Sequence, residues 1–373
     1  ASDIHLEPME NGLRVRFRID GVLREATSFP KNIQGSIVSR VKIISNMDIA
    51  EKRVPQDGRL QVQEEDRPID IRASSLPTIY GEKIVLRLLD QKSAILDVDA
   101  LGFSPDNLEK YKAMYRHSFG MILITGPTGS GKTTTLHSTL NELNTVAKNI
   151  ITIEDPVEYR LAGINQVQVN NKAGMTFANG LRSILRQDPN IIMVGEIRDK
   201  ETAEIAIRAA LTGHLVLSTM HTNDAAGAVT RLIDMGIEPF LVASSVLGCV
   251  AQRLVRRVCP ECRTSYTPDI DSPECVLMEG VDSTAVCRML YKGTGCIHCG
   301  NTGFRGRVAI HEVMPMTSKL RDLTIHSYSA AEIERAAVDE GMRTMQQDGI
   351  DKALKGFTTI SEVIRVAYEE NGG

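Results

Sequence analysis

Four short apolar runs recur along the middle of the chain, separated by segments in which apolar residues are spaced as in helices. The runs read MILIT from position 121, NIITIE from 149, NIIMVGE from 190 and HLVLST from 214. Continuous apolar runs of this length are typical of strands buried on both faces of a parallel sheet, and the segments between them supply the crossover helices. The pattern therefore predicts an α/β core.

A different pattern occupies the first part of the chain. From Leu13 to Ile19 apolar residues alternate with three arginines, and Asp20 and Gly21 follow as a hairpin turn. The stretches GRLQVQ, RPIDIRAS and EKIVLRLLD predict further strands, whereas GSIVSRVKIISNM has helical spacing. We expect a small α+β domain that ends near Leu89, with the three arginines on a solvated strand face.

The end of the chain is predicted to be helical, because SAAEIERAAVDEGM and TISEVIRVAYEE each begin with a Ser or Thr capping signal. Another helix is expected to begin at Pro105, with Ser104 as its cap. The predicted boundaries are an N-terminal α+β domain at 1–90, a linker at 91–104, the α/β core at 105–254, a cysteine-bearing segment at 255–310 and a C-terminal helical region at 311–373.

Composition narrows the class of protein. The formal net charge is −4, Trp is absent and aromatic residues are only 4%, which argues against a nucleic-acid binder that needs a basic surface and base-stacking side chains. We find no signal peptide and no run of about 18 or more apolar residues. Seven cysteines in such a chain favour a cytosolic protein over a secreted disulfide scaffold. Because the sequence opens on Ala1 without Met, we expect upstream sequence to be missing.

The sequence GPTGSGKTTT matches the phosphate-binding pattern G-x-x-x-x-G-K-[ST], after a predicted strand and before a predicted helix. Its glycines let backbone N–H groups turn toward phosphate oxygens, and the helix N-terminus adds its positive dipole end. Lys132 is expected to reach the β- and γ-phosphates of ATP, and Thr133 to bind Mg²⁺. The residues predicted to bind nucleotide here are Gly126, Pro127, Thr128, Gly129, Ser130, Gly131, Lys132, Thr133 and Thr134.

Acidic residues follow two of the buried strands. Glu154 and Glu158 come at and just after the end of NIITIE, and Glu196 ends NIIMVGE. Gly195 stands where a P-loop motor usually has Asp, so Glu196 is expected to act on Mg²⁺ through water. That leaves Glu158 or Glu154 to polarise the attacking water.

Two histidines lie at opposite ends of the run that follows. His214 begins HLVLSTMH and His221 ends it. Each is interpreted either as a polar residue that ends an apolar strand or as a sensor of the γ-phosphate. Neither has a second ligand at metal spacing.

Two Cys-x-x-Cys pairs form a further candidate site in the sequence. A disulfide framework, a redox centre and a metal site are the alternatives, and the pairs lie outside the strand–helix context of thioredoxin-like motifs. Each pair turns two thiolates toward one point, and Gly300 permits a tight backbone after the second pair. We predict a structural tetrahedral Zn²⁺ site, with Cys249, Cys275 and Cys287 as ordinary thiols. The predicted zinc ligands are Cys259, Cys262, Cys296 and Cys299.

The order of four motifs resembles the secretion-superfamily ATPases, which include the type II secretion motor and the type IV pilus assembly and retraction ATPases. GPTGSGKTTT, TIEDPVEY, LRSILRQDPNIIMVGEIRD and TGHLVLSTMHTND are similar to the family's Walker A motif, Asp box, atypical Walker B motif and His box. Gly195 follows the family pattern, and the opening SDIHLEP resembles the start of the family's second N-terminal domain. The resemblance covers nearly the whole chain.

The resemblance implies an α/β fold: a RecA-like P-loop NTPase core preceded by a small α+β, PAS-like domain, with a tetracysteine zinc-binding insertion and a helical C-terminal region. It implies a cytoplasmic homo-hexamer, peripheral to the bacterial inner membrane, that binds ATP between the N-terminal and C-terminal domains of its subunits. Such a motor hydrolyses ATP to drive pseudopilus assembly and protein export. Its partners would be the inner-membrane platform and cytoplasmic-domain proteins of the machine, with no nucleic acid.

The resemblance also assigns residue roles. Glu158 becomes the general base, Glu196 helps to hold Mg²⁺, and Glu154 and His221 lie at the nucleotide. Two arginines of the N-terminal domain are expected to reach the γ-phosphate, where a guanidinium stabilises the charge that develops on the transferring group. They are Arg72 and Arg87. Arg182, Arg186 and Arg198 are placed around the site or at a subunit interface.

Several alternatives remain. The phrases NIITIEDPVEYRLAGINQVQV and TNDAAGAVTRLIDMGIEPFLVASS favour the type II branch over the type IV pilus assembly branch, and retraction ATPases lack the paired cysteines. A RecA-like nucleic-acid translocase and a zinc-binding adaptor that binds ATP without hydrolysing it are more distant alternatives. QRLVRRV is interpreted as a solvated helix end, with contact to an acidic phospholipid surface as the alternative; its arginines are Arg253, Arg256 and Arg257.

Overall fold

The structure is a computed structural model that describes residues 1–64, 67–89, 96–281 and 288–368. The chain separates into two compact units, Ala1–Ala94 and Ile95–Gly373. The elements of the first unit are β1 (Asp3–Met9), β2 (Gly12–Ile19), β3 (Val22–Pro30), α1 (Lys31–Ile44), β4 (Gln56–Glu64), β5 (Arg67–Thr78) and β6 (Gly81–Leu89). Their strands form one antiparallel sheet in the order β3-β2-β1-β6-β5-β4.

One face of this sheet packs against α1, and the apolar half of the β2 alternation supplies that face. Leu13 and Val15 are buried there with Val38 of α1. The arginines on the other face are less solvated than the sequence suggested, because Glu7 of β1 is buried between them. Arg16 pairs with Glu7 at 2.7 Å, and its hydrogen bonds lower the pKa of Glu7 to about 2. An ionic cluster therefore replaces the predicted solvated strand face.

The second unit holds a larger sheet flanked by helices. Its strands are β7 (Gly120–Thr125), β8 (Ile150–Glu154), β9 (Asn165–Gln168), β10 (Ile191–Val194), β11 (Leu215–Met220), β12 (Val246–Val258), β13 (Arg263–Tyr266), β14 (Leu290–Gly293) and β15 (Phe304–Pro315). Its helices are α2 (Pro105–Tyr115), α3 (Lys132–Leu143), α4 (Phe177–Ile184), α5 (Lys200–Leu211), α6 (Ala225–Asp234), α7 (Pro239–Ser245), α8 (Pro273–Val281), α9 (Ser318–Ile325), α10 (Ala330–Asp339), α11 (Met345–Leu354) and α12 (Ile360–Tyr368).

Seven strands form the larger sheet in the order β15-β12-β7-β11-β10-β8-β9. The four apolar runs are β7, β8, β10 and β11, and every strand from β12 to β9 runs parallel to its neighbour. Each of these four runs is buried along its whole length, and apolar clusters occupy both faces of the sheet. The predicted α/β core is confirmed, because strands covered by helices on both sides have no reason to alternate apolar with polar residues.

The edge formed by β12 and β15 differs from the prediction. QRLVRRV is the second half of a long strand, which pairs antiparallel with β15 from Gly248 to Val258. Arg253 is only 4% exposed, and Arg256 pairs with the buried Glu362 of α12 at 2.7 Å. The interpretation of this stretch as a solvated helix end was wrong. Arg253 is buried and Arg256 half-buried because partners from distant parts of the sequence reach them, whereas Arg257 is exposed.

The most apolar longer stretch of the chain, from Phe240 to Val255, is divided in two by the fold. Residues 239–245 form helix α7, and a strand follows directly at Val246. Among the residues that the structure describes, none of the helices combines the length and the apolar character needed to cross a lipid bilayer.

Three helices of the second unit begin where a capping signal in the sequence predicts a helix start. Ser104 accepts a hydrogen bond from Asn107 N at the start of α2, with Pro105 as the first helical residue. Ser329 forms a capping box with Glu332 at the start of α10, and Thr359 accepts from Glu362 N at the start of α12. These predicted starts are confirmed.

His311 of β15 is a neutral histidine locked in the core. It is fully buried and its ring stacks on Phe103 with 3.7 Å between centroids. Burial and the nearby Lys352 hold its pKa well below the usual value. The unfolded chain therefore takes up a proton as pH falls through about 6.5, while the folded protein does not, so stability should fall by about 1.4 kcal/mol per pH unit below that point.

Denaturant unfolding of the His311→Phe variant at pH 7 and at pH 5.5 tests this. Phe keeps the stack and removes the titrating group, so the variant should lose about 1 kcal/mol less stability than the wild type between the two pH values. His326→Gln, which changes an exposed histidine, serves as the control and should keep the wild-type dependence. An equal pH dependence in wild type and His311→Phe would contradict a neutral His311.

Candidate functional site

The P-loop joins the end of β7 to the start of α3, as the motif requires. Gly131, the last residue before the helix, has φ of 90°, and a Cβ there would lie 2.7 Å from Gln252 Nε2. Gln252 of β12 holds the loop through two hydrogen bonds. Its Nε2 donates to Ser130 O at 2.8 Å, and its Oε1 accepts from Thr135 Oγ1 at 2.8 Å. The loop is thus held in shape by the neighbouring strand.

Lys132 is buried in the centre of this loop. Its ammonium donates to Gly126 O at 2.6 Å and to Pro127 O at 3.0 Å. Burial lowers the pKa of Lys132 to about 8; Arg253 acts in the same direction, and Glu196 opposes them. A buried ammonium whose present partners are neutral carbonyls is suited to bind phosphate oxygens in their place.

Two of the predicted site residues, Glu196 and His221, lie near Lys132 at the carboxyl ends of β10 and β11. Glu196 follows β10, and its Oε2 lies 2.7 Å from Arg198 Nε and 3.6 Å from His221 Nε2. Burial and the charge of Lys132 lower the pKa of His221. Residues that are 25 to 89 positions apart in sequence are brought together because parallel strands end at one edge of the sheet.

Glu154 is held in a buried network. At the end of β8, its Oε2 lies 3.1 Å from His137 Nε2 of α3, and its Oε1 accepts from Thr152 at 2.6 Å and from Gln166 at 3.0 Å. Although burial opposes its ionisation, the hydrogen bond with His137 and those from Thr152 and Gln166 lower its pKa. The carboxylate ties β8 to the P-loop helix, while Glu158 lies in the half-buried turn beyond it.

His214 lies at the opposite end of β11 from His221. Its Nδ1 is 3.0 Å from Ala209 O, at the end of α5. It is therefore a structural residue at the amino edge of the sheet, and only His221 lies at the phosphate-binding edge.

In the first unit, Arg72 and Arg87 are direct cross-strand neighbours on one face. The same row continues to Arg59 of β4 on one side and to Asp3 of β1 on the other. Asp3 Oδ1 accepts from Arg87 Nε at 3.1 Å. Like charges placed opposite one another destabilise a sheet, and the Asp3 carboxylate offsets part of this cost at Arg87. No motif marks Arg59, and its place in this row follows from the strand register.

The other family-matched arginines differ in position. Arg198 contacts Glu196, as described above. Arg182 forms an exposed ion pair with Glu201 at 2.6 Å, and Arg186 donates to Ser183 Oγ at 3.2 Å. Their partners lie on or next to α4 and α5.

The four cysteines of the two pairs converge. All four Sγ atoms lie within 4.8 Å of one another, with distances of 3.8 Å for 259–296, 3.9 Å for 262–299 and 3.7 Å for 296–299. A tetrahedron with Zn–S bonds of about 2.3 Å has S···S edges of about 3.8 Å. Backbone N–H groups of Cys296 and Gly303 donate to Cys299 Sγ, and Gly300 has φ of 58°. The residues fit a metal ion.

The remaining described cysteines lie apart from this cluster. Cys249 is buried in the core beside β7, and burial raises the pKa of its thiol. Cys275 of α8 is buried against α11 and α12 with Met278 and Ile350. Cys287 lies outside the described residues.

Known proteins share both the sequence and the fold. A family model described as type II/IV secretion system protein matches residues 1–365. Type II secretion system protein E of Dickeya dadantii is 52% identical over 370 residues, which are 99% of this chain and 73% of that protein. Type IV pilus assembly ATPase PilB of Thermus thermophilus is 51% identical over 370 residues, which are 99% of this chain and 41% of that protein. The chain thus spans less than half the length of the second relative.

Solved structures of a pilus motor and an ATPase are similar to this chain in fold. The crystal structure of the pilus retraction motor PilT with bound ADP superposes with a TM-score of 0.65 at 27% identity, covering 100% of this chain and 94% of that chain. The ATPase DotB of Legionella pneumophila has a TM-score of 0.70 at 21% identity, covering 98% and 91%, and shows a common fold. The predicted architecture, a P-loop α/β core with a smaller α+β unit before it, is confirmed.

Proposed function

The chain belongs to the type II/IV secretion system protein family, and from this premise we propose that it is the ATP-hydrolysing motor subunit of a bacterial type II secretion system. It would drive pseudopilus assembly and protein export as a hexamer at the inner membrane. One observation carries the proposal: Lys132, Glu196 and His221 converge beside a complete P-loop. The relatives named type II secretion system protein E support it.

Each residue then has a chemical task. Residues Gly126 to Thr134 form the phosphate-binding loop, whose backbone N–H groups, except at Pro127, can donate to phosphate oxygens, with Lys132 as the positive charge on the β- and γ-phosphates. Thr133 would hold Mg²⁺ directly and Glu196 through water. Mg²⁺ supplies neutralisation of the charge on the phosphates.

Hydrolysis needs a base and further positive charge. Glu158 would take the proton of the attacking water. Arg72 and Arg87 would contact the γ-phosphate, and Arg59 belongs to the same row. His221, within reach of the Glu196 carboxylate, would respond when the γ-phosphate is lost.

A type IV pilus assembly motor is the second candidate. The relatives named PilB are 51% and 50% identical to this chain, so identity does not separate the two machines. The membrane protein that co-purifies with the full-length chain decides between them: a secretion platform protein supports the first candidate and a pilus platform protein the second.

ATP turnover should be low in this chain alone and should rise with protein concentration, because the proposed site is completed by contacts between subunits. We expect further stimulation by acidic phospholipid vesicles together with the platform partner, and none by single-stranded DNA. Turnover measured under these conditions tests the class of motor. Strong stimulation by DNA would instead favour a nucleic-acid translocase, and a rate per subunit that is independent of concentration would count against the hexamer.

We further propose that Cys259, Cys262, Cys296 and Cys299 bind one structural Zn²⁺ ion. The segment between the pairs packs on the C-terminal helices: Cys275, Met278 and Leu290 are buried with Ile350, Ala353 and Ile360. The metal would close the base of this segment and hold it against α11 and α12.

A further inference from the structure

The loop between β8 and β9 carries Glu158, the residue proposed above as the base for the attacking water. Residues 155–164, all of which the structure describes, form neither helix nor strand. Backbone polar groups in a half-buried loop of this kind need hydrogen-bond partners from other parts of the molecule. The position of Glu158 therefore depends on the side chains that reach the loop from outside.

Gln166 of β9 reaches this loop with both ends of its side-chain amide. Its Nε2 donates to Tyr159 O at 2.9 Å and to the Glu154 carboxylate at 3.0 Å, and its Oε1 accepts from Leu161 N at 2.7 Å. Tyr159 follows Glu158 directly, and Leu161 begins the turn that returns the chain to β9. One side chain thus holds the backbone at two points just after Glu158.

The amide of Gln166 is itself anchored to the helix that follows the P-loop. In the parallel pairing of β8 with β9, Gln166 lies opposite Thr152. The carboxylate of Glu154, which accepts from both of them, lies 3.1 Å from His137 Nε2 of α3. His137 is fully buried, and its ring makes an edge contact with Tyr159 at 6.3 Å between centroids. A continuous set of contacts therefore joins α3 to this loop.

An amide suits this set of partners. Tyr159 O and the Glu154 carboxylate need a donor, whereas Leu161 N needs an acceptor, and glutamine presents both on one planar group. A carboxylate in the same place could accept but not donate, and it would add a second negative charge beside Glu154. Glu154 has other hydrogen-bond partners, so the particular contribution of Gln166 is its hold on the loop backbone.

We propose that Gln166 is a positioning residue for ATP hydrolysis, because it holds the loop in which Glu158 must stay aligned with the phosphate end of the P-loop. The proposal rests on the proposed ATPase function, with Glu158 as its base, and adds a residue that lies outside the four sequence motifs. A displacement of about 1 Å in a reacting group can cost about 10² in rate. Loss of the amide should therefore lower kcat and leave ATP binding, which depends on the P-loop itself, largely unchanged.

Gln166→Met in the full chain removes all three hydrogen bonds and keeps the length of the side chain. We expect kcat for ATP to fall about ten- to hundredfold, with KM for ATP within about twofold of the wild type. Gln166→Asn keeps the amide but is too short to span its three partners; it should show a loss in the same direction and carries the test if Gln166→Met folds poorly. Gln168→Met changes an exposed glutamine two residues along the same strand and, as the matched control, should keep wild-type kcat.

A double variant shows whether Gln166 acts through Glu158. Glu158→Gln should lower kcat by about 10²–10⁴. Adding Gln166→Met to it should change kcat by less than about twofold, because the effects of two residues that act as a unit are not additive. Losses that multiply would overturn the proposal, since the glutamine would then act by another route. Wild-type kcat in Glu158→Gln would remove the base and the positioning role with it.

Trypsin gives a readout that needs no turnover. Arg160 is exposed, and the peptide bond after it contains Leu161 N, which donates to Gln166. Cleavage between residues 160 and 161, followed by mass spectrometry, should be about tenfold faster in Gln166→Met than in the wild type and unchanged in Gln168→Met. If the wild type hydrolyses no ATP, the motor proposal fails, and cleavage alone then tests the hold on the loop. Unchanged kcat in both Gln166 variants, or unchanged cleavage in Gln166→Met, overturns the inference.

Discussion

Replacement of Lys132 by Ala should lower kcat for ATP hydrolysis by at least about a hundredfold. Removal of a single preorganised electrostatic group from an active site costs about 10²–10³ in rate, and Lys132 is the buried cation at the centre of the P-loop. The measurement is steady-state phosphate release at saturating Mg²⁺ and ATP. Lys148→Ala, which removes an exposed lysine from the loop before β8, should retain wild-type turnover.

The same lysine gives a second, independent readout. Burial lowers the pKa of Lys132 to about 8 in the absence of nucleotide, and bound phosphate would stabilise its ammonium form. ATP affinity of the wild type should therefore fall as pH rises above about 8, by up to about tenfold per unit. Lys132→Ala should lack this dependence. Wild-type turnover in Lys132→Ala would remove this residue from the mechanism.

Replacement of Cys299 by Ser should remove the proposed metal and destabilise the C-terminal part of the chain. Cys299 Sγ has two of the other sulfur atoms within 3.9 Å and accepts hydrogen bonds from two backbone N–H groups. The substitution would leave three cysteine ligands and remove the one that these hydrogen bonds hold in place. Structural zinc contributes about 10–16 kcal/mol to the folding of isolated zinc fingers; in a larger core we expect a loss of several kcal/mol. Metal analysis and thermal unfolding give the two readouts.

Wild-type protein purified without chelator should contain one zinc per chain, and Cys299→Ser close to none. Cys275→Ala is the matched control, because Cys275 lies in the same segment but outside the cluster; it should keep the metal. A chelator should lower the Tm of wild type and Cys275→Ala but leave Cys299→Ser unchanged. Wild-type protein without zinc would refute the site.

The core of the larger sheet could be predicted because its strands are apolar throughout. MILIT and the three runs after it can be identified as strands from their own residues, without knowledge of what they pack against. The P-loop motif likewise implies a strand before it and a helix after it. Caps at Ser104 and Ser329 located helix starts for the same reason, since each capping bond joins residues three apart.

The β12–β15 edge could not be predicted in this way. Gln252 and Arg253 are buried and Arg256 is half-buried, and their partners come from the P-loop, from Asn223 and from Glu362. In sequence, a strand that buries polar residues has the same pattern of polar positions as a segment exposed to solvent. The sequence therefore favoured a helix end at this stretch.

β12 also connects two sites of different chemistry, the P-loop and the cysteine cluster. Gln252 supports the P-loop, and Cys259, the first cysteine of the cluster, follows seven residues later, which is about 23 Å of extended chain. Removing one residue between them would turn part of the strand to the opposite face of the sheet and shift Cys259 by about 3.3 Å along the chain relative to Gln252. Over evolution the length of this stretch should therefore be kept, and insertions and deletions should accumulate on either side of it rather than within it.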